Sequence, residues 1–427
     1  MPLALALHAQ ENLPYTTYTS FKQVLEGSNL RYPAVTRVSD PGASGHPAYT
    51  GFFFYQCLQF DPTGRYLLGM RVYFQNRRVE PTDRADIGLI DLKDGHKWTK
   101  IGETTAWNWQ QGARLQWRPK SDEIVWNDRS DDGKKYVCRV YSSRTGKRRT
   151  LPRPIYDLSP DGATALTHDF ERMKHRGTDY VGIEDIYKDQ YAPSKTGIWK
   201  MNMDTGSVEL IMTLEKMAAI AYPNGGPRSG CLYFFREGWN PSGTRFIAFV
   251  KDPENGFFKA FSMTTEGTDT RYLYDMPSHH SWRDNDNILD FGNHKPPGGS
   301  SPLKGYFLFQ DDGTGTAKEL LWATNLDGHG SYLPGPGGDW IISDTYSTDG
   351  FQYLFMYHRP TKLFVPLAKL KSTAEGGLHR VDLHPRFSRD GRIVSIDATH
   401  EELGRQMYVI DITHIVDNPP KRRASIP

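Results

Sequence analysis

A short motif recurs seven times along the chain: an apolar or aromatic residue, a polar turn often holding Pro and Gly, and then a β-rich run. The copies are Phe60-Asp-Pro-Thr-Gly64, Trp117-Arg-Pro-Lys120, Leu158-Ser-Pro-Asp-Gly162, Trp239-Asn-Pro-Ser-Gly243, Trp282-Arg-Asp-Asn285, Tyr332-Leu-Pro-Gly335 and Phe387-Ser-Arg-Asp-Gly391. Each reads as a strand, a tight turn and a second antiparallel strand. An alternating strand follows each copy, such as Ile87-Gly-Leu-Ile-Asp-Leu92, Ile198-Trp-Lys-Met-Asn-Met203 and Met407-Tyr-Val-Ile-Asp-Ile412. A unit that cannot bury its own apolar face must stack on its neighbours. Seven such units predict an all-β, seven-bladed β-propeller with four-stranded blades and a central channel.

A repeat fold also accounts for the length. The 427 residues would otherwise suggest two or three domains. The expected layout is an N-terminal extension over 1–20, the propeller over 21–416 and a tail over 417–427. The third unit carries an insertion over 170–197 and a short helix from Leu214 to Ile220. Aromatic residues at 13%, 40 glycines and 28 prolines suit short strands and tight turns. Fifty-two basic against fifty acidic residues give no field that points to nucleic acid. No apolar stretch is long enough to span a bilayer. Cys57, Cys138 and Cys231 form no disulfide framework. Met1 to Ala9 resembles the tail of a secretion signal, so a secreted or periplasmic location is expected.

In this architecture the strand entering the turn lines the channel. Three positions before the turn residue stand Cys57, Arg114, Ile155, Arg236, His279, His329 and His384. One position before it stand Gln59, Gln116, Asp157, Gly238, Ser281, Ser331 and Arg386. Strand side chains alternate, so the two rows share a face. A single strand histidine is ordinarily a hydrogen-bonded core residue. Three at one level of successive blades are costly to bury without a ligand.

Asp382 and His384 lie two apart on one strand face, His329 comes from the neighbouring blade, and His379 is a fourth candidate ligand. Imidazole with carboxylate suits Mn or Zn, and a shell richer in oxygen suits Ca. Long loops on the same mouth bring Asn108, Gln110 and Gln111, and the second strands bring Asn127 and His168. These are candidate substrate contacts. The insertion adds Lys174, Arg176, Tyr180, Tyr187, Lys188 and Tyr191, a mixture of tyrosines and cations that suits sugars and uronates.

Ser278-His-His-Ser-Trp282, Gly328-His-Gly-Ser-Tyr332 with Trp340-Ile-Ile-Ser-Asp344, and Asp382-Leu-His-Pro-Arg-Phe-Ser-Arg-Asp-Gly391 resemble successive blades of the oligogalacturonate-lyase propellers. More loosely the chain is similar to ulvan lyases and rhamnose–glucuronate lyases. The resemblance implies a divalent cation held by channel histidines, a histidine base and an arginine. It places His279 as base, His329 and His384 as metal ligands, and Arg236 near the arginine. Asp382 stands where the family usually has His, and His379 where it has Gln.

The function expected from all this is β-elimination at a uronic-acid residue of a glycan. His279 would be the base with His280 as substitute, and Arg236 and Arg114 would neutralise the carboxylate. Tyr187 would be the acid. Two alternatives are a glycoside hydrolase acting on a uronate-linked sugar and a non-catalytic glycan-binding propeller, since the fold hosts many functions.

Overall fold

The computed structural model describes residues 13–27, 30–173, 178–227, 229–334, 338–374 and 376–421. Met1 to Ala9, Lys174, Arg176 and the Arg422-Arg423 pair lie outside them. Twenty-eight strands form seven four-stranded antiparallel sheets, the blades of a propeller. Blade 1 runs from Tyr49–Gly51 through Tyr66–Val72 and Ala85–Asp91 to Lys97–Thr104. Blades 2 to 6 follow in order, with innermost strands Gln116–Trp117, Asp157–Leu158, Tyr233–Trp239, Ser281–Trp282 and Ser331–Tyr332. Blade 7 takes Arg386–Phe387, Ile393–Ala398 and Gln406–Asp411 from the C-terminal end and its outermost strand, Thr36–Arg37, from the N-terminal end. Pairing of Thr36 with Val409 thus closes the ring.

The repeated turn has a local cause. In blade 3, Gly162 donates to the Ser159 carbonyl, the Ser159 hydroxyl binds Asp161, and the Thr164 amide donates to Ser159 Oγ. Asp61, Asn240 and Ser388 do the same work in their blades. Gly64, Gly162, Gly243 and Gly391 close these turns at φ between 68° and 74°, where a side chain would be strained. The aromatic residue before the turn then reaches the preceding blade: Trp117 Nε1 donates to the Gln59 carbonyl and Trp282 Nε1 to that of Gly238.

Two details differ from the sequence expectation. Packing begins before residue 21, because Tyr15 is buried with blades 6 and 7 and Tyr18 bridges to Phe364. The short helix runs Leu214–Ala221, capped by Thr213 Oγ1, which accepts from the Lys216 amide. No helix among the described residues is long and apolar enough to cross a membrane.

Blade 7 is anchored to blade 1 by Asp397, which is fully buried. It accepts from the Phe52 and Phe53 amides, from Arg386 at 2.8 Å and from Arg405 at 3.0 Å. Asp397→Ala would leave two buried guanidinium groups without their anion. A loss of about 3–5 kcal/mol is expected, read as a lower midpoint in chemical denaturation. An unchanged midpoint would mean that the guanidinium groups re-pair elsewhere.

Candidate active site

The channel is not empty at the level of the predicted ring. In blade 1 the segment Phe52–Cys57 leaves the sheet and is buried. Phe54 lies 5.0 Å from the Arg114 guanidinium of blade 2, 5.3 Å from that of Arg236 in blade 4, and edge-on to His384 of blade 7. Tyr55 packs against His279, His329 and His384 of blades 5, 6 and 7. A single segment that touches residues of five other blades has to cross the axis, so the ring has an aromatic floor. Phe53 sits at φ 75°, a strained value for a large side chain, and the Asp397 carboxylate holds it there. Sequence reasoning placed Cys57 in the ring and missed this floor. The run of three phenylalanines was its signal.

Above the floor, His279, His329 and His384 form a contiguous row, with ring centroids 4.2 Å and then 4.0 Å apart. His384 and Arg114 adopt left-handed backbone conformations at φ 45° and 52°, which breaks the strand geometry and re-aims both side chains. His279 and His329 each have a carboxylate at Nδ1. His279 Nδ1 lies 2.9 Å from the Ser278 hydroxyl and 3.3 Å from Asp327, and Ser278 in turn donates to Asp327 at 2.6 Å. A carboxylate at Nδ1 fixes that nitrogen as the protonated one and leaves Nε2 as the base. Burial first, and then His329, hold His279 well below the ordinary histidine range, so it is neutral near pH 7. Burial pushes Asp327 up to about 6.

His329 Nδ1 lies 2.9 Å from Asp344, which also accepts from the backbone amides of His329 and His384. These donors outweigh burial and draw Asp344 below the usual carboxylate range. Gly328 permits the approach, because a Cβ there would meet the Asp344 carbonyl at 1.9 Å. Ligand atoms of His329, Asp382 and His384 all lie within 4.8 Å of one another, and all three residues are buried. Among the described residues His384 Nδ1 has no hydrogen-bond partner, and its Nε2 lies 4.0 Å from Asp382. Burial raises Asp382 and lowers His384. Two imidazole nitrogens beside a carboxylate, with Asp344 orienting His329 from behind, are the donor set that a divalent cation needs. The Arg380 Nε bond to Asp382 at 2.9 Å balances that carboxylate's charge.

Arg236 donates to the Ser278 carbonyl at 2.6 Å, while its Nε and both Nη atoms of Arg114 lack partners among the described residues. Buried guanidinium groups with unpaired N–H atoms favour an anion.

Several other sequence candidates are placed elsewhere. Tyr187 stays within the insertion, where its backbone binds Asp185 and Arg172. His379 ends a single helical turn and packs toward Trp109 at 6.5 Å, apart from the metal-ligand trio. His280 is turned between Gln56 and Phe249, and burial pushes it down to about 3. Asn127 binds both backbone groups of Ile155, and Asn108 holds the Thr178 carbonyl and the Gln110 and Gln111 amides. Gln110 ties this loop to the carbonyls of Leu378 and Arg380. His168 pairs with Glu237 at 2.9 Å between blades 3 and 4. Asn108, Gln110 and Asn127 are buried and satisfy backbone groups at loop–blade junctions. Gln111 is buried beside them.

No protein-family model matches the chain, and no curated protein sequence resembles it closely enough to count as a relative. In fold it is similar to an oligogalacturonate lyase in complex with manganese, at 13% identity and a TM-score of 0.62 over 95% of this chain and 98% of that one. An oligogalacturonate lyase from Vibrio parahaemolyticus matches at 11% identity and 0.60, over 94% and 97%. A puromycin-hydrolysing peptidase of Mycobacterium tuberculosis matches at 12% and 0.52, over 94% of this chain and 57% of that one. The resemblance to oligogalacturonate-lyase propellers therefore holds for the seven-bladed fold. The looser likeness to ulvan and rhamnose–glucuronate lyases rests on sequence alone.

Proposed function

We propose that this protein is a lyase that cleaves a uronate-containing oligo- or polysaccharide by β-elimination. The observation that carries the reading is a neutral, carboxylate-oriented imidazole, His279, set beside a candidate cation site and an arginine with a free N–H. Proton abstraction at C5 of a uronate needs that combination. The C5 proton is only weakly acidic until positive charge offsets the adjacent carboxylate.

His279 Nε2 takes the C5 proton while Asp327 and Ser278 stabilise the imidazolium that forms. Arg236 binds the substrate carboxylate, and the Phe54 ring packs against its guanidinium. His329, Asp382 and His384 would hold a divalent cation, Mn, Zn or Ca, which when bound supplies further neutralisation of that carboxylate. The fold match to a lyase in complex with manganese agrees with the donor set.

Incubation with a panel of uronate glycans is expected to yield 4,5-unsaturated uronate ends. Chain cleavage with incorporation of labelled solvent oxygen and no unsaturated product would instead make the protein a hydrolase. Because burial depresses His279, the base stays unprotonated as pH falls through the ordinary histidine range. The acid limb of kcat/KM is therefore expected well below pH 6.5. A limb at the ordinary histidine value would assign the base to a more solvated group.

A further inference from the structure

The hydroxyl of Tyr346 lies 3.4 Å from His279 Nε2, within hydrogen-bond reach. Tyr346 lies in the loop after Asp344 and is only partly buried. Its ring lies edge-on to His279 and His329, and the Arg380 guanidinium stands 5.0 Å over its face. Its backbone amide donates to the Asp327 carbonyl at 3.1 Å. Asp327 thus places both partners: its carboxylate orients the imidazole and its carbonyl the tyrosine.

From this pair we infer that the site acts on uronates whose H5 and O4 lie on the same face of the ring, as in glucuronate, with Tyr346 donating the proton to the departing O4. The inference rests on the lyase reading. It follows from stereochemistry. Elimination removes H5 and breaks the C4–O4 bond, and two groups in contact with each other address only one face of the sugar. In glucuronate H5 and O4 are cis. In galacturonate they are trans, and the acid would have to stand across the ring from the base.

The step balances without an outside reagent. His279 Nε2 takes the C5 proton, the C5–H electron pair becomes the C4–C5 double bond, and the C4–O4 bond breaks. O4 receives the Tyr346 proton. The tyrosinate then recovers a proton from the adjacent imidazolium, so the proton lost at C5 ends on O4 and both residues are restored.

The test uses two 4-O-linked uronosides that differ only at C4, one gluco and one galacto. Both give the same unsaturated product, so one readout serves for each. The gluco epimer is expected to turn over about 10²-fold faster or more, the usual contribution of a placed general acid. Tyr346→Phe should lose a comparable factor with a sugar leaving group and recover most of it when O4 is replaced by fluoride or an aryl ether. It should also keep exchanging H5 with deuterium from solvent. A merely structural tyrosine would show neither the recovery nor the retained exchange. Faster elimination from the galacto epimer overturns the inference and leaves the lyase reading standing. No elimination from either epimer or any other uronate overturns both.

Discussion

Replacing His279 with alanine is expected to lower kcat/KM for uronate cleavage by about 10²–10⁴-fold, the usual contribution of general base catalysis. The imidazole makes its hydrogen bonds through side chains at the mouth, to Ser278, Asp327 and Tyr346. The blade is held by other means, since the Ser278 and His279 amides bind Asp290 whatever side chain stands at 279. The variant should therefore fold and bind glycan while failing to eliminate. Asp327→Asn separates orientation from base strength. It keeps a partner near Nδ1 but removes the charge that stabilises the imidazolium, so kcat should fall by a smaller factor with KM little changed. Undiminished turnover in His279→Ala would remove His279 from the chemistry, whereas glycan binding with no turnover in either protein would favour the non-catalytic reading.

The second large effect concerns the cation. Protein purified at neutral pH is expected to carry one divalent ion per chain, and His384→Ala to carry none while keeping its denaturation midpoint. The fold should survive because Asp344 binds the His384 backbone amide, which alanine retains, and because Leu383, Val394 and Ile396 supply the local core. Asp344→Asn should weaken metal affinity by about 10–100-fold, the usual range for a group that orients a ligand from behind. Protons compete with metal for imidazole nitrogen. Burial holds His384 well below the ordinary histidine range, so the ion should be retained as pH falls through that range and lost only below it. Elemental analysis across pH decides this. Equal metal content in the wild type and His384→Ala, or none in either, would mean that the histidines only line the channel. Arg236 and Arg114 would then carry carboxylate recognition alone.

Much of the site was legible because a repeat converts sequence spacing into spatial level. Aligning the copies on the residue before the turn put Arg114, Arg236, His279, His329 and His384 at one height, and the structure groups them around Phe54 and Tyr55. The reading lost accuracy away from that register. The loop candidates Asn108, Gln110 and Asn127 and the rim residue His168 were chosen for polarity and for lying near the mouth. In three dimensions the three amides hold backbone groups that no neighbouring strand satisfies, and His168 is paired with Glu237. Tyr187 was chosen from an insertion whose path the repeat does not dictate.

The sequence by itself determined the number of blades, the turn that builds each one, and which side chains could meet at the axis. Those depend on local geometry: a two-residue alternation, a glycine at positive φ, and apolar faces that must stack. What only the tertiary structure decided is which groups act on one another across blades. Asp327 meets His279, Asp344 spans two blades to orient His329 and His384, Tyr346 stands against Nε2, and Phe52–Cys57 closes the channel beneath them. Each of these contacts joins residues far apart along the chain or depends on loop conformation. They are fixed by ring closure and by the need to pair buried charge, and neither leaves a periodic trace in the sequence.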